Sequence, residues 1–585
     1  MDKRTFLALL LTALVIVLTP IVVRTFSPQR AAAPPAPGSV TDTPLPQARP
    51  LGTSAAPSGV APEAFPPAPI AGARSTPQPA GTTGRVAAET TTVAAGRARF
   101  TFVSAGAAPV AIALPGYRDL RPSARGDTAR LMSASEPGVR AAPPLLRYRL
   151  VLDADTVALD SIPFRVVRAD DGIAFTSTTT PQITVRYRFV PGAFLTHVRG
   201  EVAAAPADSL RAGALLVDLP TGLRSQEADA VEDTRHLAYG YKLTQSGVKS
   251  VAFDKLDPTL VRTDSGPMTW VSTRNKYFLV ALLAPPSPES APFSALRMQG
   301  GTRVGKLAPV GYATAVQPLR GGRFALDLYA GPQSWEQLRA AGHELENVNP
   351  YGGWIPGVQP FATICMRVLL WIKQTLNVSY GWVLVIFGIA VRLLLWPLNQ
   401  SAMRSSLKMQ RLQPELQEVQ KRYKSDPDKQ REAIIKLYQQ HGMSPLSPIM
   451  GCLPMLLPMP VLFALFFVFQ NTIEFRGVPF LWLPDLSLKD PFYIMPIFMG
   501  ISMFVLSWIG MRAAPPNPQT KMMSYMMPAV MTLVLLNFAS GLNLYYAVQN
   551  IAALPQQWLL TRERMKAAGP APAPPAPLRG RRAAT

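Results

Sequence analysis

Two cysteines and four histidines in 585 residues leave little material for disulfides, thiol chemistry or zinc. Cys365 and Cys452 fall on opposite sides of the membrane in the topology read below, so no disulfide is expected. His197, His236, His343 and His441 are far apart and lack metal-ligand spacing, so metal catalysis is disfavoured. Charge is also scarce. Only 16% of residues are charged and the mean hydropathy is positive (+0.14), which assigns part of the chain to lipid. The net charge of +22 comes from scattered basic residues with no nucleic-acid motif, so sequence-specific nucleic-acid binding is not expected. Lys and Arg collect on the inner side of membranes, and cytoplasmic anchoring explains the excess better. A Gly-rich phosphate loop, a nucleophile motif and a chain of midplane acids are all missing, which disfavours an ATP-driven pump or a proton relay. No cofactor is expected.

What is present is an ordered series of apolar runs. Asp2, Lys3 and Arg4 precede Thr5–Val23, a run of about 19 residues, long enough to span. An uncleaved anchor with its N-terminus inside is favoured over a signal peptide cleaved near Ala31–Ala33. Residues 28–84, rich in Pro, Ala, Ser and Thr, read as a disordered linker. From about Val86 to Pro332 apolar residues alternate or run together between Gly/Pro turns, as in 97–103, 146–152, 183–189 and 277–283. This predicts an extracytoplasmic antiparallel β-sandwich, taken as 85–345. Its carboxylates read as solvated surface groups, with no pair marked for acid–base work.

Residues 346–379 contain an amphipathic segment, Ala362–Gln374, which fits either the outer membrane interface or a docking position under the β-domain. A second span follows at 380–398. Residues 399–448 then predict a helical hairpin. Met409, Leu412, Leu416, Val419 and Tyr423 form a seam, Ser425-Asp426-Pro427 a break, and Asp428–Gln440 the return helix. Basic residues, including Arg404, Lys408, Arg411, Lys421 and Arg422, outnumber acids there and place the hairpin in the cytoplasm. Four more spans are expected within 449–560, at about Ile449–Phe469, Phe492–Gly510, Met522–Phe538 and Leu542–Leu560. Residues 561–585 form a basic tail. The acids Glu474, Asp485 and Asp490 suit the outer side. The fold class is thus a polytopic α-helical membrane protein of six spans, five of them a core, with both termini cytoplasmic.

Arg392 lies inside the second span. A cation there costs about 2.5–3.5 kcal/mol on insertion scales. Two readings stand: the side chain snorkels to the interface about 9 Å away, or it faces a hydrated site. On the last span Asn543, Tyr546, Asn550 and Gln557 share one face, which serves either helix–helix hydrogen bonding or a wet groove that also receives Arg392. Methionine is abundant in the spans, among them Met455, Met459, Met526 and Met527, as in packed cores or in surfaces that accept many apolar partners.

Several runs carry a resemblance: Ala390–Leu398 (AVRLLLWPL), 408–414 (KMQRLQP), 452–460 (CLPMLLPMP), 490–500 (DPFYIMPIFMG) and 540–546 (SGLNLYY). In this order they resemble the YidC/Oxa/Alb membrane protein insertases from about Gly331 to Arg564. YAGP (329–332) resembles the end of the periplasmic domain of Gram-negative members. The resemblance implies an inner-membrane insertase and chaperone, not an enzyme, with the β-domain periplasmic. It implies that Arg392 attracts acidic parts of an incoming polypeptide in a groove open to cytoplasm and lipid. The hairpin would receive substrate, which would leave past the third and fifth spans, near Met455, Met459, Phe463, Met526, Met527, Tyr545 and Tyr546. Implied partners are nascent membrane proteins, the lipid bilayer, the Sec translocon, and ribosome or signal recognition machinery. Leu446-Ser447-Pro448 and Pro458 depart from the common pattern. A solute transporter or channel with an appended β-domain is the competing class, but no internal repeat is visible.

Overall fold

A computed structural model describes residues 89–134, 143–152, 155–179, 181–203, 213–303, 309–349, 358–423, 426–441, 459–512 and 518–567. The expected first span, linker, inner end of the third span and the basic tail beyond Ala567 lie outside these residues. So do Cys452 and Met455.

The β-domain comprises two antiparallel sheets. Four strands, β1 (Thr90–Ala95), β2 (Ala98–Val103), β3 (Pro109–Arg118) and β4 (Thr128–Leu131), make the smaller sheet. The larger has 14 strands. The four strand runs expected from alternation correspond to β2, β5 (Arg147–Leu152), β9 (Gln182–Phe189) and β15 (Phe278–Leu283). β15 (FLVALL) does not alternate because both its faces are covered, and all six residues are buried. Aromatic side chains fill the space between the sheets: the Phe102 ring lies 5.3 Å from Phe175 and 4.9 Å from Tyr187. Each such fully buried side chain contributes roughly 1.5–3 kcal/mol.

The last strand, β18 (Arg323–Pro332), leads into a short helix, α2 (Trp335–Ala341); an earlier one, α1 (Ala230–Thr234), lies within the domain. Helix α3 (Val358–Leu376) is longer than the amphipathic segment expected and buries Ala362, Cys365, Met366, Leu369 and Leu370. Helix α4 (Tyr380–Arg411) does not end at Leu398. It continues through Pro397 for 32 residues, so the span and the start of the expected hairpin are one rod. Helices α5 (Gln413–Arg422) and α6 (Pro427–Gln440) pack on each other. Asp426 caps α6 by accepting from the Lys429 N–H at 3.1 Å.

Four helices complete the chain: α7 (Met459–Asn471), α8 (Ile494–Met511), α9 (Pro518–Leu535) and α10 (Ser540–Ala567). Two helices among the described residues are long and apolar enough to cross a membrane, over Tyr380–Pro397 and Ile494–Met511; shorter apolar segments occupy Val461–Asn471 and Ser524–Leu535. Helix α9 contains Pro528 and α10 contains Pro555. Large apolar side chains face outward on α8 (Ile497, Ile501, Phe504, Trp508) and on α9 (Met522, Met526, Leu533). Unbroken apolar exposure of this kind marks a surface made for lipid or protein.

Candidate functional site: a half-buried arginine between two helices

The close approach of α4 to α10 begins at Gly388. A Cβ there would lie 3.0 Å from the Val548 side chain, so a larger residue would require that side chain or the helix to give way. One turn later Arg392 projects from α4 toward α10. Its Nη2 donates to Gln556 Oε1 at 2.8 Å. The Gln556 amide in turn donates to the Trp396 carbonyl at 3.0 Å, back on α4. Gln556 is 3% exposed. The buried Nε–H of Arg392 has no hydrogen-bonding partner among the described residues. Nearer the other end, Gln549 donates to the Gly388 carbonyl at 2.8 Å and to the Tyr545 hydroxyl at 3.1 Å. Tyr545 packs beside Phe387, with ring centres 6.0 Å apart.

The face of α10 toward Arg392 is therefore Tyr545, Gln549 and Gln556, spaced i, i+4, i+11. It is not the stripe of Asn543, Tyr546, Asn550 and Gln557. Gln549 and Asn550, like Gln556 and Gln557, are adjacent, about 100° apart around a helix, so the two rows face different neighbours. Asn550 donates to Ser502 Oγ at 3.0 Å, on α8. Gln557 lies against Gly510, and Thr561 donates to the Ile509 carbonyl at 3.2 Å, so this row ties α10 to α8. Asn543 donates to the Leu535 carbonyl at 3.1 Å. Tyr546 is half-buried, its ring 6.0 Å from that of Tyr545. Helix–helix hydrogen bonding accounts for Asn550 and Asn543. Gln549 and Gln556 escaped sequence reasoning because α10 carries two polar rows of equally good helical spacing.

Among the other expected residues, Met526 is exposed, Met527 and Phe463 are half-buried, and Lys421 and Arg422 are exposed. Arg404, Lys408, Arg411 and Met459 lie on helices, but their side chains fall outside the described residues, as does the whole of Met455.

A second polar cluster joins the β-domain to the loop between α7 and α8. Arg476 Nε lies 2.8 Å from Glu227 Oε1, and its Nη2 donates to the Gln226 carbonyl at 3.1 Å. Its guanidinium sits 5.2 Å from the Phe278 ring centre. Burial pushes the Glu227 carboxyl up to about 7 despite that guanidinium. The Glu474 carboxyl is buried beside this cluster, and burial likewise raises it to about 7. The other acids that suggested an outer loop have structural work. Asp485 accepts from the Ser487 N–H at 2.8 Å. Asp490 accepts from Met495 N–H at 2.7 Å, at the start of α8. Glu227 and Arg476 are 249 residues apart, and no spacing rule links them.

Residues 371–568 match the family described as 60Kd inner membrane protein, and residues 168–364 the YidC periplasmic domain. A membrane protein insertase YidC of Anaeromyxobacter dehalogenans is 33% identical over 329 residues, 56% of this chain and 58% of that protein. One of Chlorobium phaeovibrioides is 35% identical over 316 residues, 51% and 52% respectively. The chain thus covers little more than half the length of these curated relatives. A structure titled an active YidC insertase with its first transmembrane domain resolved aligns at 17% identity and TM-score 0.33, over 80% of this chain and 92% of that one.

Proposed function

The chain belongs to the YidC family of membrane protein insertases, and from this premise we propose that it inserts and helps fold integral membrane proteins at a bacterial inner membrane. The relatives are named insertases, not enzymes, and the proposed work is partition: no bond is made or broken. In this reading Thr5–Val23, the apolar part of α4, and α7 to α10 are six spans. Both termini and the α5–α6 pair are cytoplasmic, and the β-domain is periplasmic. The Sec translocon and the ribosome are proposed partners.

One observation carries the reading. Arg392 is half-buried between helices, with one neutral side-chain partner, a buried and unpartnered Nε–H, and no carboxylate in ion-pair contact among the described residues. A cation kept without a counter-ion in an apolar layer retains attraction for a passing acid. Attraction through a partly hydrated medium is of order 1–4 kcal/mol at about 4 Å, strong enough to recruit and weak enough to release. The apolar surfaces of α7 and α9, with Phe463, Met526 and Met527, then offer a route into lipid.

The test is reconstituted insertion of a substrate with an acidic extracytoplasmic tail. Arg392→Ala should lower its yield severalfold and leave a tail-neutral substrate unaffected. Gln556→Leu frees the guanidinium from its side-chain partner among the described residues and should retain insertion. If Gln556→Leu and Arg392→Ala fail equally on both substrates, the pair is a structural tie and the groove role is wrong.

A further inference from the structure

A cavity of about 450 Å³ opens between α2, at the end of the β-domain, and α3, just before the span in α4; Trp335, Arg339, Ile364, Arg367, Val368 and Trp371 line it. We propose that this cavity binds one anionic phospholipid of the outer leaflet, its phosphodiester on Arg339 and Arg367 and the start of its acyl chains along Ile364, Val368 and Trp371. The inference rests on the membrane placement proposed above but not on insertase activity.

Three observations favour that occupant. The first is charge. Neither arginine has a carboxylate within ion-pair distance among the described residues, although Glu336 also lines the cavity. Glu336 is engaged by the Gln374 side-chain amide, a contact that also bridges α2 to α3. Arg339 lies 5.0 Å from the Trp335 ring centre, which holds the guanidinium plane while leaving its N–H groups available. Two forked guanidiniums on facing helices suit a phosphodiester.

The second observation is the outer face of α3. Phe361, Ile364, Val368 and Trp371, spaced 3-4-3, are 52%, 56%, 36% and 63% exposed. The opposite face is already buried against the protein, mainly α7. This helix is apolar on two sides, and water is a poor solvent for the second. Helices of this kind lie in the membrane interface with Trp at headgroup depth. The third is position. Only residues 377–379 separate α3 from α4, and Lys373 Nζ closes that link by donating to the Val378 carbonyl at 2.9 Å. The cavity mouth is therefore held where α4 enters the membrane. Its volume accepts a glycerophosphate headgroup and the first methylenes, within the usual range of small-molecule sites.

Full-length protein in detergent, stripped of lipid, would be titrated with phosphatidylglycerol, phosphatidylethanolamine and soluble glycerol 3-phosphate, and binding read by native mass spectrometry. One phosphatidylglycerol should bind preferentially. Arg339→Gln with Arg367→Gln should weaken it about thirtyfold, at about fivefold per guanidinium near an anionic lipid. Removing two exposed charges elsewhere, Arg165→Gln with Arg168→Gln, should change nothing. Trp371→Gln should weaken phosphatidylglycerol without altering glycerol phosphate. Equal binding of the two lipids would overturn the proposal, as would full affinity in the Arg339/Arg367 variant. Glycerol phosphate binding as tightly as the lipid would overturn the acyl-chain component, and with it a lipid occupant.

Discussion

Glu474 should make the junction between the β-domain and the helices tighten in acid. The Glu474 carboxylate oxygens are buried without a close hydrogen-bonding partner among the described residues, and the Glu474 backbone N–H and the Ser334 hydroxyl lend the anion only partial support. The groups facing it are Tyr117 from β3, Tyr329 from β18, Glu336 from α2 and Tyr380 from α4. Arg476, two residues on, is engaged by Glu227. Its carboxyl is raised from 4.5 to about 7, a difference of about 2.5 units, or about 3 kcal/mol at 1.36 kcal/mol per unit. The sign follows from the proton. The folded junction holds it more tightly than the opened one, so stability is greatest below about 4.5, falls as pH rises to about 7, and is flat beyond. The assay is hydrogen exchange of the Arg476 and Val478 amides, which bond to the Ile473 and Phe475 carbonyls, corrected for intrinsic rates. Each of Glu474 and Glu227 should make opening about tenfold easier per pH unit within that window. Glu474→Gln should remove about half of the slope, and adding Glu227→Gln should remove the rest. An unchanged slope in Glu474→Gln would refute the reasoning.

Arg476→Met should destabilise the same junction by about 3–5 kcal/mol, because it leaves a buried carboxyl without its partner; Glu227→Gln with Arg476→Met should recover part of that loss. Equilibrium unfolding of the two variants, compared with Glu227→Gln, closes the cycle, and additive losses would deny the pair any coupling. Gly500→Leu should lower the melting temperature, since even a Cβ at Gly500 would lie 2.0 Å from Thr532 Oγ1 and α8 must move off α9, an overpacking cost of about 1–3 kcal/mol. An unchanged melting temperature would show that α9 shifts freely.

Periodicity carried the reading furthest where one face meets water. The alternating runs that became β2, β5 and β9 were legible, and so was the N-terminal boundary of α6, because Asp426-Pro427 both caps and starts a helix. It failed where both faces are covered. Helix α10 packs on α4 and α8 at once, so two polar rows are satisfied by two different neighbours, and a single sequence does not say which row meets Arg392. The apolar run marks a span over 380–398, but apolarity does not mark where the helix ends, and the rod runs on through Pro397 to Arg411. A proline inside a helix removes one bond and need not end it when neighbouring helices hold the chain. The Glu227–Arg476 pair was illegible because folding alone brings those residues together.

Pro397 and Pro555 have one more consequence. Each lacks the N–H that would close a helical bond to the residue four before it, so α4 is missing a strut at the Leu393 carbonyl and α10 one at the Ile551 carbonyl. Both gaps fall beside the same spot, where Gln556 grips the Arg392 side chain and the Trp396 carbonyl together. The two rods are softest at the height of their shared rivet. A push on the far end of α4 should therefore be absorbed just beyond Arg392, leaving the guanidinium at its station.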